Sequence, residues 1–202
     1  MPVWLEITLS IIETVFIVGG AVIAILGLNT WRKEMVGKRK SELAEEVLAL
    51  FYEARDIFSW ARFPGGYSSE GETRPVIEEE STEQAEARKG WYVPAERLIK
   101  HTDLFSRLHS LKYRFIAYFG TDASKPFEGI KSIHDKILIA TSTLIRTEPE
   151  NPKKGLPESV QKLRERCEEE IGWFLENDPL EPLISEAITE IESICKPHLT
   201  GK

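Results

Sequence analysis

From Leu9 to Leu28 every residue is apolar or small except Ser10, Glu13 and Thr14. A helix that crosses a bilayer needs about twenty such residues. Helices buried in a soluble core rarely run that far with a single ionisable group. A basic cluster follows at once: Arg32, Lys33, Lys38, Arg39 and Lys40, interrupted only by Glu34 among the charged residues. No Lys or Arg precedes the stretch. By the positive-inside rule that order sets the N-terminus outside and the remaining chain in the cytoplasm. Trp4 and Trp31 fall at the two ends, where indole rings favour the membrane–water interface. A cleavable signal peptide has a basic start and a shorter apolar core, whereas this chain opens Met-Pro-Val-Trp-Leu-Glu. The expected location is the plasma (cell inner) membrane, crossed once.

Within and around the stretch, Glu6, Glu13, Gly20 and Gly27 recur every seven residues, and Ser10, Ile17, Ala24 and Trp31 form a second row offset by four. At 3.6 residues per turn both rows share one side of a helix, within roughly 100°. Lipid gives no reason to collect small and polar groups on one side. A second helix does, because small residues let backbones approach closely. The expected intramembrane contact is therefore Ser10, Glu13, Ile17, Gly20, Ala24 and Gly27, meeting a second copy or another membrane protein. A carboxylate inside an apolar helix costs about 2–4 kcal/mol on insertion scales. Three roles fit Glu13: reaching the outer headgroups, bonding a polar group on the partner helix, or handling ions in a pore.

Beyond the basic cluster, Leu43, Leu50 and Ile57 recur every seven residues, with Val47, Ala54 and Ala61 beside them. That is an amphipathic helix, ended by Pro64-Gly65-Gly66. Residues 65–93 carry many acids and few apolar groups, which predicts a flexible, solvated connection. Pro94-Ala95-Glu96 then predicts a helix start, running to Phe119 before Gly120. Further helices are expected from Lys125-Pro126, from Pro157 and from Asp178-Pro179 as far as Pro197. No alternating run with turn signals marks a strand. The expected fold is all-α, one transmembrane helix followed by an antiparallel helical bundle. Its divisions are 1–31 (span), 32–64 (basic segment and first amphipathic helix), 65–93 (acidic connection) and 94–202 (remaining helices).

Signatures of catalysis and cofactor binding do not emerge. His101 and His109 are eight residues apart on one expected helix, too far to share a metal. Neither they nor His134 follow a Glu by three, as di-iron bundles require. The glycines form no phosphate-cradling fingerprint, and no nucleophile elbow is present. Cys167 and Cys195 are the only cysteines. They lack metal-ligand spacing and fall at apolar helix positions, the pattern of buried free thiols. A net charge of −7 argues against nucleic acid as a partner. No metal, cofactor or catalytic residue is expected. The sequence reads as a non-enzymatic, membrane-anchored helical scaffold or accessory subunit whose partners are lipid and another membrane helix. The competing reading is a homo-oligomeric channel or membrane-permeabilising effector, with Glu13 lining the pore.

Overall fold

The computed structural model describes residues 3–150, 155–172 and 178–199; for residues 3–15 it describes the backbone alone. Most of the described residues are helical, with no strand among them. Two units are separated, Met1–Leu43 and Ala44–Lys202. The first helix, α1 (Val3–Ala61), passes through Gly37 without a break. No helix among the described residues is long and apolar enough to cross a membrane. The expected span from Leu9 to Leu28 lies partly among residues 3–15, whose side chains are outside the described residues. The transmembrane assignment therefore has no support from the structure.

The second unit is a helical bundle. Its helices are the end of α1, α2 (Thr82–Ile99), α3 (Thr102–Phe119), α4 (Lys125–Arg146), α5 (Glu158–Ile171) and α6 (Glu181–Leu199). The heptad rows of α1 form its inner face: Val47, Ala54 and Ala61 are fully buried, and Leu50 and Ile57 nearly so. Phe51 meets Phe127 of α4 edge-on at 5.0 Å, and Phe58 lies 5.5 Å from Phe105 of α3. Such aromatic pairs add about 1 kcal/mol each beyond the area they bury. Helix α4 buries Ile130, Ile133, Ile137, Ala140 and Leu144, and touches α2, α5 and α6.

Helix starts follow local chemistry. Pro157 is the N-cap of α5. The Asp178 carboxylate accepts from the backbone N–H groups of Leu180 and Glu181 at 2.9 and 3.2 Å, capping the start of α6. Two starts differ from expectation. Pro94 lies inside α2, which begins twelve residues earlier with a Ser81–Gln84 capping box. The expected helix to Phe119 is in fact two helices, broken at Lys100–His101. There the Thr102 hydroxyl donates to the Ile99 carbonyl at 2.7 Å, taking an acceptor that a continuous helix would use for its own ladder.

The acidic connection is also not simply solvated. Glu96 and Arg97, adjacent on α2, hold it from both sides of the hydrogen-bonding ledger. Buried Glu96 accepts from the Gly71 N–H and the Thr73 hydroxyl, both at 2.7 Å. Gly71 is needed there, since its φ is +81° and an added Cβ would sit 2.4 Å from the Lys89 carbonyl oxygen. The Arg97 side chain, 1 % exposed, donates to the carbonyls of Trp60, Phe63 and Gly65 at 2.7–2.8 Å. It also grips both oxygens of Glu70 at 2.8 Å. Composition could not reveal this, because a carboxylate paired with a distant buried guanidinium looks locally like any surface acid.

Replacing Arg97 with Met strands a buried carboxylate and three carbonyls, a loss of about 3–5 kcal/mol. Urea unfolding of the full chain should show it as a lowered midpoint. Arg97→Lys should recover only part, because an ammonium cannot serve four acceptors in the guanidinium plane.

Candidate functional site

Two regions compete as the site: the residues singled out on the first half of α1, and the clefts of the bundle. On α1, Ser10 and Glu13 have side chains outside the described residues. Ile17, Gly20, Ala24 and Gly27 are all exposed. At 100° per residue these four fall within an arc of about 80°. A Cβ added at Gly20 or Gly27 would meet nothing within 4 Å, so the row is an open, shallow face. The large residues around it are equally bare: Phe16 is 76 % exposed, Ile23 72 % and Leu28 63 %. Soluble proteins cover runs of this kind. Nothing among the described residues covers this one.

The basic cluster does not act as a single patch. Lys38 faces Glu42 one turn on, at 3.9 Å, with both side chains well exposed, a pair that contributes little energy. Arg32, Lys33 and Arg39 have no ion-pair partner among the described residues. They share a side of the helix with Lys40, and Lys38 does not.

In the bundle, a cleft of about 720 Å³ lies between α3 and α4. Phe105, Leu108, Phe127 and Ile130 form apolar walls, with His109 and His134 also lining it. The His134 ring lies tilted against Phe105 with centroids 4.5 Å apart, and the His109 ring meets Tyr113 edge-on. The Ser110 hydroxyl donates to the Ser106 carbonyl, and His134 Nδ1 lies 3.5 Å from the carboxylate of its sequence neighbour Asp135. These residues do not assemble a nucleophile with a base and an orienting group. No cluster of His, Cys, Asp and Glu among the described residues could hold a metal ion. Both cysteines are buried and free; burial pushes the Cys195 thiol up to about 12 and raises that of Cys167. Neither thiol is a ready nucleophile.

The concentrated charge chemistry lies instead in buried arginines that the sequence reading passed over. Arg62 grips both oxygens of Asp178, joining the end of α1 to the cap of α6. Arg88 donates to the Ile145 carbonyl and to Glu80. Arg164 donates to the Leu144 carbonyl, the Thr147 hydroxyl and Glu148, which also accepts from the Trp91 indole. No residue spacing marks these pairs, which are separated by up to 116 positions. Their work is structural.

No protein-family model, curated protein or solved structure matches the chain.

The guanidinium of Arg97 holds the Glu70 carboxyl far below its ordinary 4.5, at about 2, against the opposing effect of burial. A carboxyl depressed by folding stabilises the folded state above its unfolded value, and that contribution drains away as pH falls from about 4.5 to 2. Glu70→Gln should cost on the order of 2–3 kcal/mol at neutral pH. Its unfolding midpoint and that of the unaltered chain should converge as pH approaches 2. A constant gap across that range would contradict the pairing.

Proposed function

We propose that this chain is a membrane-anchored helical scaffold or accessory subunit. Its N-terminal helix sits in the bilayer and associates with a second membrane helix, and its bundle stands on the cytoplasmic side. One observation carries the reading: the large apolar side chains from Phe16 to Leu28 are 49–76 % exposed. A chain that buries Phe51, Phe58 and Phe115 completely has the means to cover apolar surface, and it leaves this surface uncovered. Lipid is a medium in which that costs nothing. The apolar run continues N-terminally to Leu9 in the sequence and is closed by Arg32 and Lys33, the order expected where a span enters the cytoplasm.

Within a bilayer no hydrophobic effect draws helices together, so association depends on close approach and polar contacts. The open face of Gly20, Ala24 and Gly27 provides the first, and Ser10 and Glu13 belong to the same rows in sequence.

Alkaline carbonate extraction of native membranes should leave the full chain in the pellet, and release into the supernatant would refute the anchor. Gly20→Leu with Ala24→Leu should weaken association in a bilayer about tenfold, the scale of 1–2 kcal/mol interhelical contacts, read by energy transfer between labelled copies or with a co-purifying partner. Unchanged association would refute the contact face.

A further inference from the structure

The basic cluster holds more information than a topology signal requires, because its charges are sorted by side. With Arg32 set at 0° and 100° added per residue, Arg39, Arg32, Lys40 and Lys33 fall at about −20°, 0°, 80° and 100°. Val36 and Asn29 lie between them. The acids of this segment lie elsewhere, Glu34 at about 200° and Glu42 at about 280°. The remaining base, Lys38, points to about 240°, where Glu42 meets it. Asn29, Arg32, Lys33, Val36 and Gly37 line a shallow depression in the helix surface. Gly37 leaves open space there, with nothing within 4 Å of an added Cβ.

The same rotation relates this side to the apolar part of the helix. Ile17, Gly20, Ala24 and Gly27 centre near 260°, so the middle of the cationic arc, near 40°, is turned about 140° away from them. The column above the cationic arc is Val18, Val22 and Ile25, at about 40°, 80° and 20°. All three are bulky and exposed, at 57 %, 49 % and 58 %. The small-residue side therefore continues into a stretch of mixed charge. The bulky apolar side continues into one of positive charge alone.

We infer that the side of α1 formed by Arg32, Lys33 and Arg39, all exposed, binds the phosphate headgroups of anionic lipids. Acyl chains would lie along Val18, Val22 and Ile25 while the opposite side of the helix meets its partner. This deepens the membrane-anchor reading and rests on it. Guanidinium forks and ammonium groups suit phosphate oxygens. Arginine and lysine near a bilayer draw anionic lipid at the leaflet surface. Arg32, Lys33 and Arg39 have no ion-pair partner among the described residues, whereas Lys38, on the partner side, faces Glu42 at 3.9 Å.

The test reconstitutes the full chain in phosphatidylcholine bilayers containing trace spin-labelled phosphatidylglycerol or spin-labelled phosphatidylcholine. Electron spin resonance then gives the motionally restricted fraction of each. The anionic label should be favoured roughly three- to fivefold, and 1 M salt should erase most of the preference. A charge-conserving variant (Thr30→Lys, Lys33→Thr, Arg39→Ser, Ser41→Arg) moves two cations to the far side while keeping the orientation signal. It should at least halve the preference, and Lys38→Gln should leave it unchanged. A preference that survives the rearrangement, or one that Lys38→Gln abolishes, overturns the inference. So does loss of the preference in inorganic phosphate at matched ionic strength, which would make free phosphate the ligand. Equal restriction of the two labels sinks this inference alone. No restricted component for either label sinks the membrane reading beneath it.

Discussion

Helix ends leave carbonyls without partners, and in a bundle those ends are often buried, where a stranded carbonyl is expensive. This chain meets the constraint with buried arginines. Arg97 serves the carbonyls of Trp60, Phe63 and Gly65 where α1 finishes. Arg88 and Arg164 serve those of Ile145 and Leu144 where α4 finishes. Each guanidinium carries a carboxylate with it: Glu70, Glu80 and Glu148 respectively. The positive charge also suits the negative end of the helix dipole. The acids in turn come from the connecting segments, so one set of interactions terminates helices and fastens the chain between them.

What the sequence made legible was local. The heptad rows from Leu43 to Ala61 locate the buried face of α1, because apolar periodicity is a property of neighbouring residues. Pro157 and Asp178 mark helix starts because a fixed φ and a capping carboxylate act within one turn. Other features rest on quieter local cues or on groups far apart in the chain. Pro94 reads as a helix start only if the Ser81–Gln84 box upstream is overlooked. The split at Lys100–His101 has neither glycine nor proline to announce it. Residues 65–93 look solvated until Arg97 and Arg88 are placed against Glu70 and Glu80. For the candidate site, the small-residue row and the basic cluster were visible in the chain itself. The sorting of the cluster into a cationic side and a Lys38 that faces Glu42 emerges only when helical rotation and the Lys38–Glu42 contact are considered together.

The two units solve opposite problems. From Ala44 onward, a continuous set of apolar residues is buried, and several arginines are buried with carboxylate partners. From Phe16 to Leu28 apolar residues stay bare, and the charges that follow are largely exposed cations. A chain whose purpose ended with a stable bundle would have no use for the second arrangement. On the proposed reading, the first unit would supply the anchor and the second the stable bundle.

The account turns on whether the bare half of α1 is dissolved in acyl chains. A nitroxide attached to single cysteines at Val18, Val22 and Ile25 of the reconstituted full chain would decide it, since the buried thiols of Cys167 and Cys195 should resist the label. The account predicts strong relaxation by molecular oxygen and almost none by a water-soluble nickel chelate at all three sites. Ready access for the nickel chelate along that column would contradict it.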